Sequence, residues 1–119
     1  MRFLAIYRTK ETGIPPSPEN MAAMGRLIEE MAKAGVLLAT EGCQHSSKGS
    51  RVRITGGKFS VTDGPFTETK EVVAGFALFQ VKAKEEAIEW TKKFLQLCGD
   101  GESEIREVYE APACAEGKK

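Results

Sequence analysis

The chain lacks paired cysteines and lacks an excess of either charge. Its three cysteines, Cys43, Cys98 and Cys114, are widely spaced and form no Cys-x-x-Cys pair, which argues against a disulfide framework or a structural zinc site. Lys+Arg and Asp+Glu number 17 each, so no basic surface for nucleic acid or an anionic membrane is predicted. No glycine-rich phosphate loop occurs either. We therefore expect no metal, no cofactor, no nucleic acid and no membrane partner.

Long apolar runs are also missing. No segment approaches the length of a membrane-spanning helix. The apolar part of Met1–Lys10 is too short for a signal peptide, and no small-residue cleavage site follows it. With 41% hydrophobic and 29% charged residues, the composition is that of a globular protein. Together with the cysteine usage, this predicts a single domain in a reducing cytoplasm.

The apolar patterns predict the order strand, helix, strand, hairpin, strand, helix, strand. Ser17 followed by Pro18 is a good helix start, because the hydroxyl can cap the helix and proline suits its first position. Ala83 lacks a capping side chain, so the second helix starts weakly. The helices are placed at 18–34 and 85–97. The strands are placed at Phe3–Tyr7, from Val36 to Ala39, at 51–54 and 59–61 around Gly56-Gly57, at Val72–Val81, and around Ile105 to Tyr109.

This order predicts an α+β fold, a ferredoxin-like sandwich enlarged by a β-hairpin. The domain is expected over residues 1–110, with a loose tail at 111–119. Two helices can cover only one face of such a sheet, yet Val72–Val81 is apolar on both faces. The uncovered face predicts a homodimer packed sheet to sheet.

The stretch Val61–Glu71, which reads VTDGPFTETKE, resembles the signature of the DGPF branch of the YCII-related family. Arg51-Val52-Arg53, Gly75-Phe76 and Lys84–Ala87 extend the resemblance over about residues 1–110. It implies a small bacterial protein of the dimeric α+β barrel type, linked to sigma factors through neighbouring genes, and it implies no agreed reaction. Some relatives in the wider group are thought to use a His–Asp pair. This chain has no histidine in its first helix, and it carries His45 where close relatives have proline.

Asp63 and His45 are the candidate catalytic residues. Asp63 could serve as a general base or a ligand anchor at a strand end, or its carboxylate could simply hold the Asp-Gly-Pro turn. His45, the sole histidine, could form an acid–base dyad with Asp63 if its loop folds towards the turn. Its polar neighbours favour the alternative, a solvated loop histidine, because nothing apolar there would desolvate the ring.

Four further residues are candidate ligand contacts. Arg51 and Arg53 alternate along one strand and should share a face, where paired guanidinium groups could hold a carboxylate or phosphate. They could instead pair with Glu68 or Glu71. Tyr7 and Phe66 could line a pocket or belong to the core.

Two functions are consistent with these residues. The first is a homodimer that binds a small anionic or aromatic ligand, in a regulatory setting linked to a sigma factor by the resemblance alone. The second is a cofactor-free enzyme of the lyase or isomerase kind, in which Asp63, with or without His45, transfers a proton. The sequence leaves open whether any reaction is catalysed.

Overall fold

The computed structural model describes residues 1–110. Cys114 and the predicted tail lie outside this part. The described chain forms six strands, two α-helices and one short 3-10 helix. The strands are β1 (Arg2–Thr9), β2 (Leu37–Gly42), β3 (Ser50–Thr55), β4 (Lys58–Asp63), β5 (Val72–Gln80) and β6 (Glu102–Glu107); the helices are α1 (Pro18–Lys33) and α2 (Lys84–Cys98), and the 3-10 helix spans Ser46–Lys48.

Four strands form an antiparallel sheet in the order β2-β5-β1-β6. Strand β1 lies between β5 and β6, with Ala5 opposite both Ala77 and Ile105. The remaining strands, β3 and β4, pair only with each other. The predicted α+β fold is confirmed, and the strand order is compatible with the ferredoxin-like plan.

Both helices pack on one face of the sheet, where the hydrophobic core lies. Alternate residues of β1 point into it, as expected for a half-buried strand. The buried apolar core consists of Phe3, Ala5, Leu27, Met31, Val36, Phe79, Val81 and Ala87. Helix α1 begins as predicted, since the Ser17 side chain accepts a hydrogen bond from the Asn20 N–H at 3.1 Å. Helix α2 has no side-chain cap at Ala83.

The buried side of α2 carries Ala87 and Thr91, and Trp90, Phe94 and Leu97 pack against the core beside them. The Thr91 hydroxyl is satisfied there by donating to the Ala87 carbonyl at 2.8 Å, which lets a polar residue occupy the buried side. The prediction for the last strand was wrong in its limits. Strand β6 begins at Glu102, opposite Arg8 of β1, and ends at Glu107, opposite Phe3, because its pairing with β1 sets both ends.

The β3–β4 hairpin extends away from the four-stranded sheet. Its turn residues Gly56 and Gly57 have φ of 57° and 81°, the left-handed values that a two-residue hairpin turn with two glycines is predicted to adopt. Side chains alternate between two faces. One face is polar and includes Arg51, Arg53 and Ser60; the other is apolar and consists of Val52, Ile54, Phe59 and Val61.

The sheet face opposite the helices is also apolar. Register places Leu4 opposite Leu78 and Ile6 opposite Phe76 on this face. Phe76 and Val73 are exposed, and we call this surface the open sheet face. Within residues 1–110, no helix is long and apolar enough to cross a membrane.

Candidate functional site

The Asp-Gly-Pro turn packs directly against the loop that carries His45. A Cβ atom on Gly64 would lie 1.8 Å from the Ser46 carbonyl oxygen, so only glycine permits this approach. The Gly64 N–H donates to the Gly49 carbonyl at 2.9 Å, and the Phe66 N–H donates to Ser46 Oγ at 3.0 Å. The glycine of the signature is therefore needed to join two loops.

Glu11 holds the same loop from the other side. Its Oε2 accepts from the Ser46 N–H at 2.6 Å, and its Oε1 accepts from the Ser46 hydroxyl at 2.7 Å. The Ser46 hydroxyl first, and also the Ser46 backbone N–H and the His45 ring, lower the pKa of Glu11. Glu11 is therefore an ionised carboxylate at neutral pH, with both oxygens engaged.

The His45 ring is held between Ser47 and Glu11. Its Nδ1 accepts from the Ser47 N–H at 3.1 Å, so in the neutral ring the proton lies on Nε2. That nitrogen lies 3.5 Å from Glu11 Oε1. Both ring nitrogens thus face groups of the protein, and the imidazole caps the 3-10 helix at Ser46–Lys48.

Asp63 lies at the end of β4, at the base of the hairpin. Its Oδ1 accepts from the Ser50 hydroxyl at 2.7 Å, across the strand pair. The loop of His45 does fold towards the signature turn, as the Gly64 contact requires. The hydrogen bonds of His45 and Asp63, however, go to different partners, Ser47 and Ser50 respectively.

The two arginines have different surroundings although they share a strand. Arg51 forms an ion pair with Glu68 and lies over the ring of Phe66, with its guanidinium carbon 3.9 Å from the ring centroid. The pKa of Glu68 is lowered first by a hydrogen bond from the Glu68 backbone N–H and then by the hydrogen bond from the Arg51 side chain. Arg53 lies further along the hairpin, is exposed, and has no ion-pair partner among residues 1–110.

A groove of about 650 Å³ lies between the hairpin base and the sheet. Arg8, His45, Lys48, Arg51 and Phe66 are among its lining residues. Three of these five carry a permanent positive charge, and Glu71 is the one acid in the lining. Arg8 is paired with Glu104 at 3.2 Å, whereas Lys48 has no ion-pair partner within the described chain. Arg51 is likewise paired with Glu68, so an anion in the groove would meet one cation that is unpaired within residues 1–110, Lys48, and the remaining donors of Arg8 and Arg51.

A larger cleft of about 1090 Å³ opens on the helix side of the sheet. Its apolar lining includes Ile14, Met21, Met24, Ile28, Phe79 and Phe94. Glu11 and His45 also line it. Groove and cleft adjoin, because both are lined by Cys43, Gln44, His45, Val72 and Val73.

Tyr7 contributes to the cleft from within the core. Its ring packs edge-on against Phe94 at a centroid distance of 5.0 Å, and burial raises the pKa of its phenol. The hydroxyl of its cross-strand neighbour Ser103 is buried and has no hydrogen-bond partner within residues 1–110. The cleft therefore has a mainly apolar lining, with this buried hydroxyl behind it.

Comparison with protein families tests the resemblance at the level of the wider family. The family model of the YCII-related domain matches residues 1–112. The chain belongs to the YCII-related family. No significant match was found among curated proteins. The YCII-related domain thus covers the whole described chain, including the groove, the cleft and the hairpin.

Sequence reasoning missed Glu11 and Ser46, the most tightly bonded residues of the site. Glu11 lies in a loop of glycine and prolines, and Ser46 in a polar loop 35 residues later. Neither loop carries a local pattern that distinguishes these residues from their neighbours. Among residues 1–110, no group of three His, Cys, Asp or Glu side chains could hold a metal ion.

Proposed function

We propose that this YCII-related protein binds a small molecule with an aromatic or apolar body and an anionic group. The single observation that carries the proposal is the junction of a cationic groove with an apolar cleft at His45. Ligand sites typically combine a mostly apolar lining with a few placed polar groups. The anionic group would lie in the groove and the apolar body in the cleft.

Arg51 is the main anion contact in this proposal. A guanidinium offers five N–H donors in a fixed plane, and Glu68 takes a bond only from Nη1. The remaining donors can therefore bind a carboxylate, sulfonate or phosphate. The ring of Phe66 beneath the guanidinium keeps it in place, since a cation over an aromatic face is attracted by about 0.5–1 kcal/mol.

The alternative, proton-transfer catalysis, has weaker support. A general base needs a free lone pair within reach of the substrate. His45 Nδ1 is occupied by the Ser47 N–H, and both Glu11 oxygens accept bonds from Ser46. Asp63 keeps one oxygen without a bond to the described chain. A proton-transfer enzyme would lose turnover in Asp63→Asn, whereas a binding protein would keep its affinity.

The sequence signature supports placing the protein in the DGPF branch, with a homodimer in the cytoplasm as its working form. The open sheet face supports the homodimer, because an uncovered apolar surface of this kind usually marks an interface. The sigma-factor setting follows from the resemblance alone and stays a prediction.

A fluorescent aromatic sulfonate, 1-anilinonaphthalene-8-sulfonate, tests the binding proposal. We expect saturable binding that weakens about tenfold in Arg51→Ala, since a hydrogen bond to a charged group contributes about 1.5–3 kcal/mol. Arg53→Ala is the matched control, because it removes the same group two residues along the same strand face. Its affinity should stay within about twofold of the wild type. Equal losses in both variants would contradict a specific groove.

A further inference from the structure

An interior glycine of α1 has no explanation in the fold. Gly25 lies in the middle of α1 (Pro18–Lys33), where glycine is less favourable than alanine because it loses more backbone freedom on folding. Its φ is not one of the positive values that favour glycine, and a Cβ atom there would meet nothing within 4 Å in the described chain. Neither the backbone conformation nor the packing of residues 1–110 therefore requires a glycine at this position.

Gly25 lies at the mouth of the apolar cleft. It lines the cleft and is itself exposed to solvent. Met21, Met24 and Ile28, which are three or four residues away, line the cleft from the same side of α1. Among the α1 residues in this lining, Gly25 is the one without a side chain. The apolar wall that α1 presents to the cleft therefore has a gap at Gly25.

We propose that Gly25 is a specificity-determining residue, because its gap lets the cleft accept an aromatic body of two rings, whereas a larger side chain there would limit the ligand to one ring. Glycine commonly occurs where the backbone must approach a ligand closely. The inference rests on the proposed function and deepens it, since it specifies the kind and the size of the apolar body that accompanies the anionic group.

The side chains around the cleft favour an aromatic body over a purely aliphatic one. Three of the four methionines of the chain, Met21, Met24 and Met31, line the cleft. The methionine side chain is flexible, and its sulfur makes favourable contacts with aromatic rings. Met21 exposes 61% of its surface, so it is free to pack on a ring at the mouth. Phe94 adds an aromatic surface to the lining.

The position of the gap determines which ligands it affects. The cleft of about 1090 Å³ lies just above the roughly 300–1,000 Å³ range of ligand pockets, so it has room for more than one ring. Gly25 lines the cleft but not the groove, and the two cavities adjoin at His45. One ring attached to an anionic group in the groove therefore stays near His45, while a second ring extends along the wall of α1 to the gap.

The variant Gly25→Leu closes the gap without disturbing the helix. Helical side chains point towards the N-terminus of their helix, so the leucine would occupy the space beside Met21 at the mouth of the cleft. Leucine is a better helix former than glycine, and the new Cβ has free space around it. The free energy of unfolding should therefore not fall, and urea unfolding checks this. A loss of ligand affinity in this variant then reports on the cleft.

NMR titration of the full chain with two sulfonates tests the size limit. Naphthalene-2-sulfonate carries two rings, and benzenesulfonate carries one ring with the same anionic group. We expect Gly25→Leu to weaken naphthalene-2-sulfonate binding about tenfold and to change benzenesulfonate binding less than about twofold. Ala22→Leu is the matched control, because it enlarges a side chain of the same helix at an exposed position outside the cleft lining. It should leave both affinities within about twofold of the wild type.

A neutral fluorescent probe, N-phenyl-1-naphthylamine, separates the role of Gly25 from the proposed function. If sulfonate binding depends on Arg51 but Gly25→Leu leaves naphthalene-2-sulfonate binding unchanged or tighter, the binding function stands and the role of Gly25 is refuted. Equal losses for both sulfonates would refute the size limit as well. If no sulfonate binds but the neutral probe binds and Gly25→Leu weakens it about tenfold, the role of Gly25 stands and the anionic ligand is refuted. Binding of neither the sulfonates nor the neutral probe would refute both.

Discussion

Replacing Gly64 with alanine should unfold the candidate site and destabilise the whole domain. The new Cβ would lie 1.8 Å from the Ser46 carbonyl oxygen and 2.6 Å from its carbon. Ordinary contact begins near 3.4 Å, so the two loops must separate by about 1.6 Å. They cannot move this far and keep the bonds from Gly64 N to Gly49 O and from Phe66 N to Ser46 Oγ.

The magnitude follows from these losses. Overpacking costs about 1–3 kcal/mol, and each lost hydrogen bond costs about 0.5–1.5 kcal/mol. We expect the free energy of unfolding to fall by about 3 kcal/mol, which lowers Tm by more than about 10 °C in a domain of this size. Urea unfolding followed by circular dichroism, at one fixed protein concentration, measures this change.

Gly25→Ala is the control for the glycine prediction. It lies inside α1, where an added Cβ meets nothing within 4 Å. Alanine should therefore stabilise the protein by about 0.5–1 kcal/mol through helix propensity. A loss of less than about 1 kcal/mol in Gly64→Ala, on the scale of an ordinary mutation, would show that the loops have room and would refute the close approach.

Two further predictions concern acid stability and helix capping. The pKa of Glu11 is lower in the folded protein than its ordinary value of about 4.3, so its contribution is present above that pH and is lost as the pH falls through the lowered pKa. Tm measured from pH 7 to 3 should therefore fall less steeply in Glu11→Gln, and an unchanged slope would contradict this. Ser17→Ala should cost about 1 kcal/mol by removing the α1 cap, whereas Ala83→Asp should add about 0.5–1 kcal/mol by capping α2. Urea denaturation of both variants checks the opposite signs.

The elements of the fold were predictable because their signals are local. Ser17-Pro18 marks the start of α1, and Gly56-Gly57 marks the hairpin turn, within a few residues of the structure they specify. An error arose where tertiary packing decides. The last strand was placed too late because pairing with β1 sets its limits.

The site was less predictable because its contacts join distant segments. The hydrogen bonds from Ser46 to Glu11 connect residues 35 apart, and the bond from Phe66 to Ser46 connects residues 20 apart. No periodicity links such positions. The Asp-Gly-Pro turn was recognised as a turn, but the role of Gly64 depends on a carbonyl that only the folded chain places there. Arg51 and Arg53 look equivalent on the strand, and only the approach of Glu68 and Phe66 distinguishes them.

The signature turn lies where the hairpin joins the rest of the molecule, and this position connects stability with function. Its glycine fixes the loop of Ser46, while its aspartate bonds Ser50 at the first residue of β3. A change at the turn would alter both the groove and the direction of the hairpin, because β4 ends at the turn.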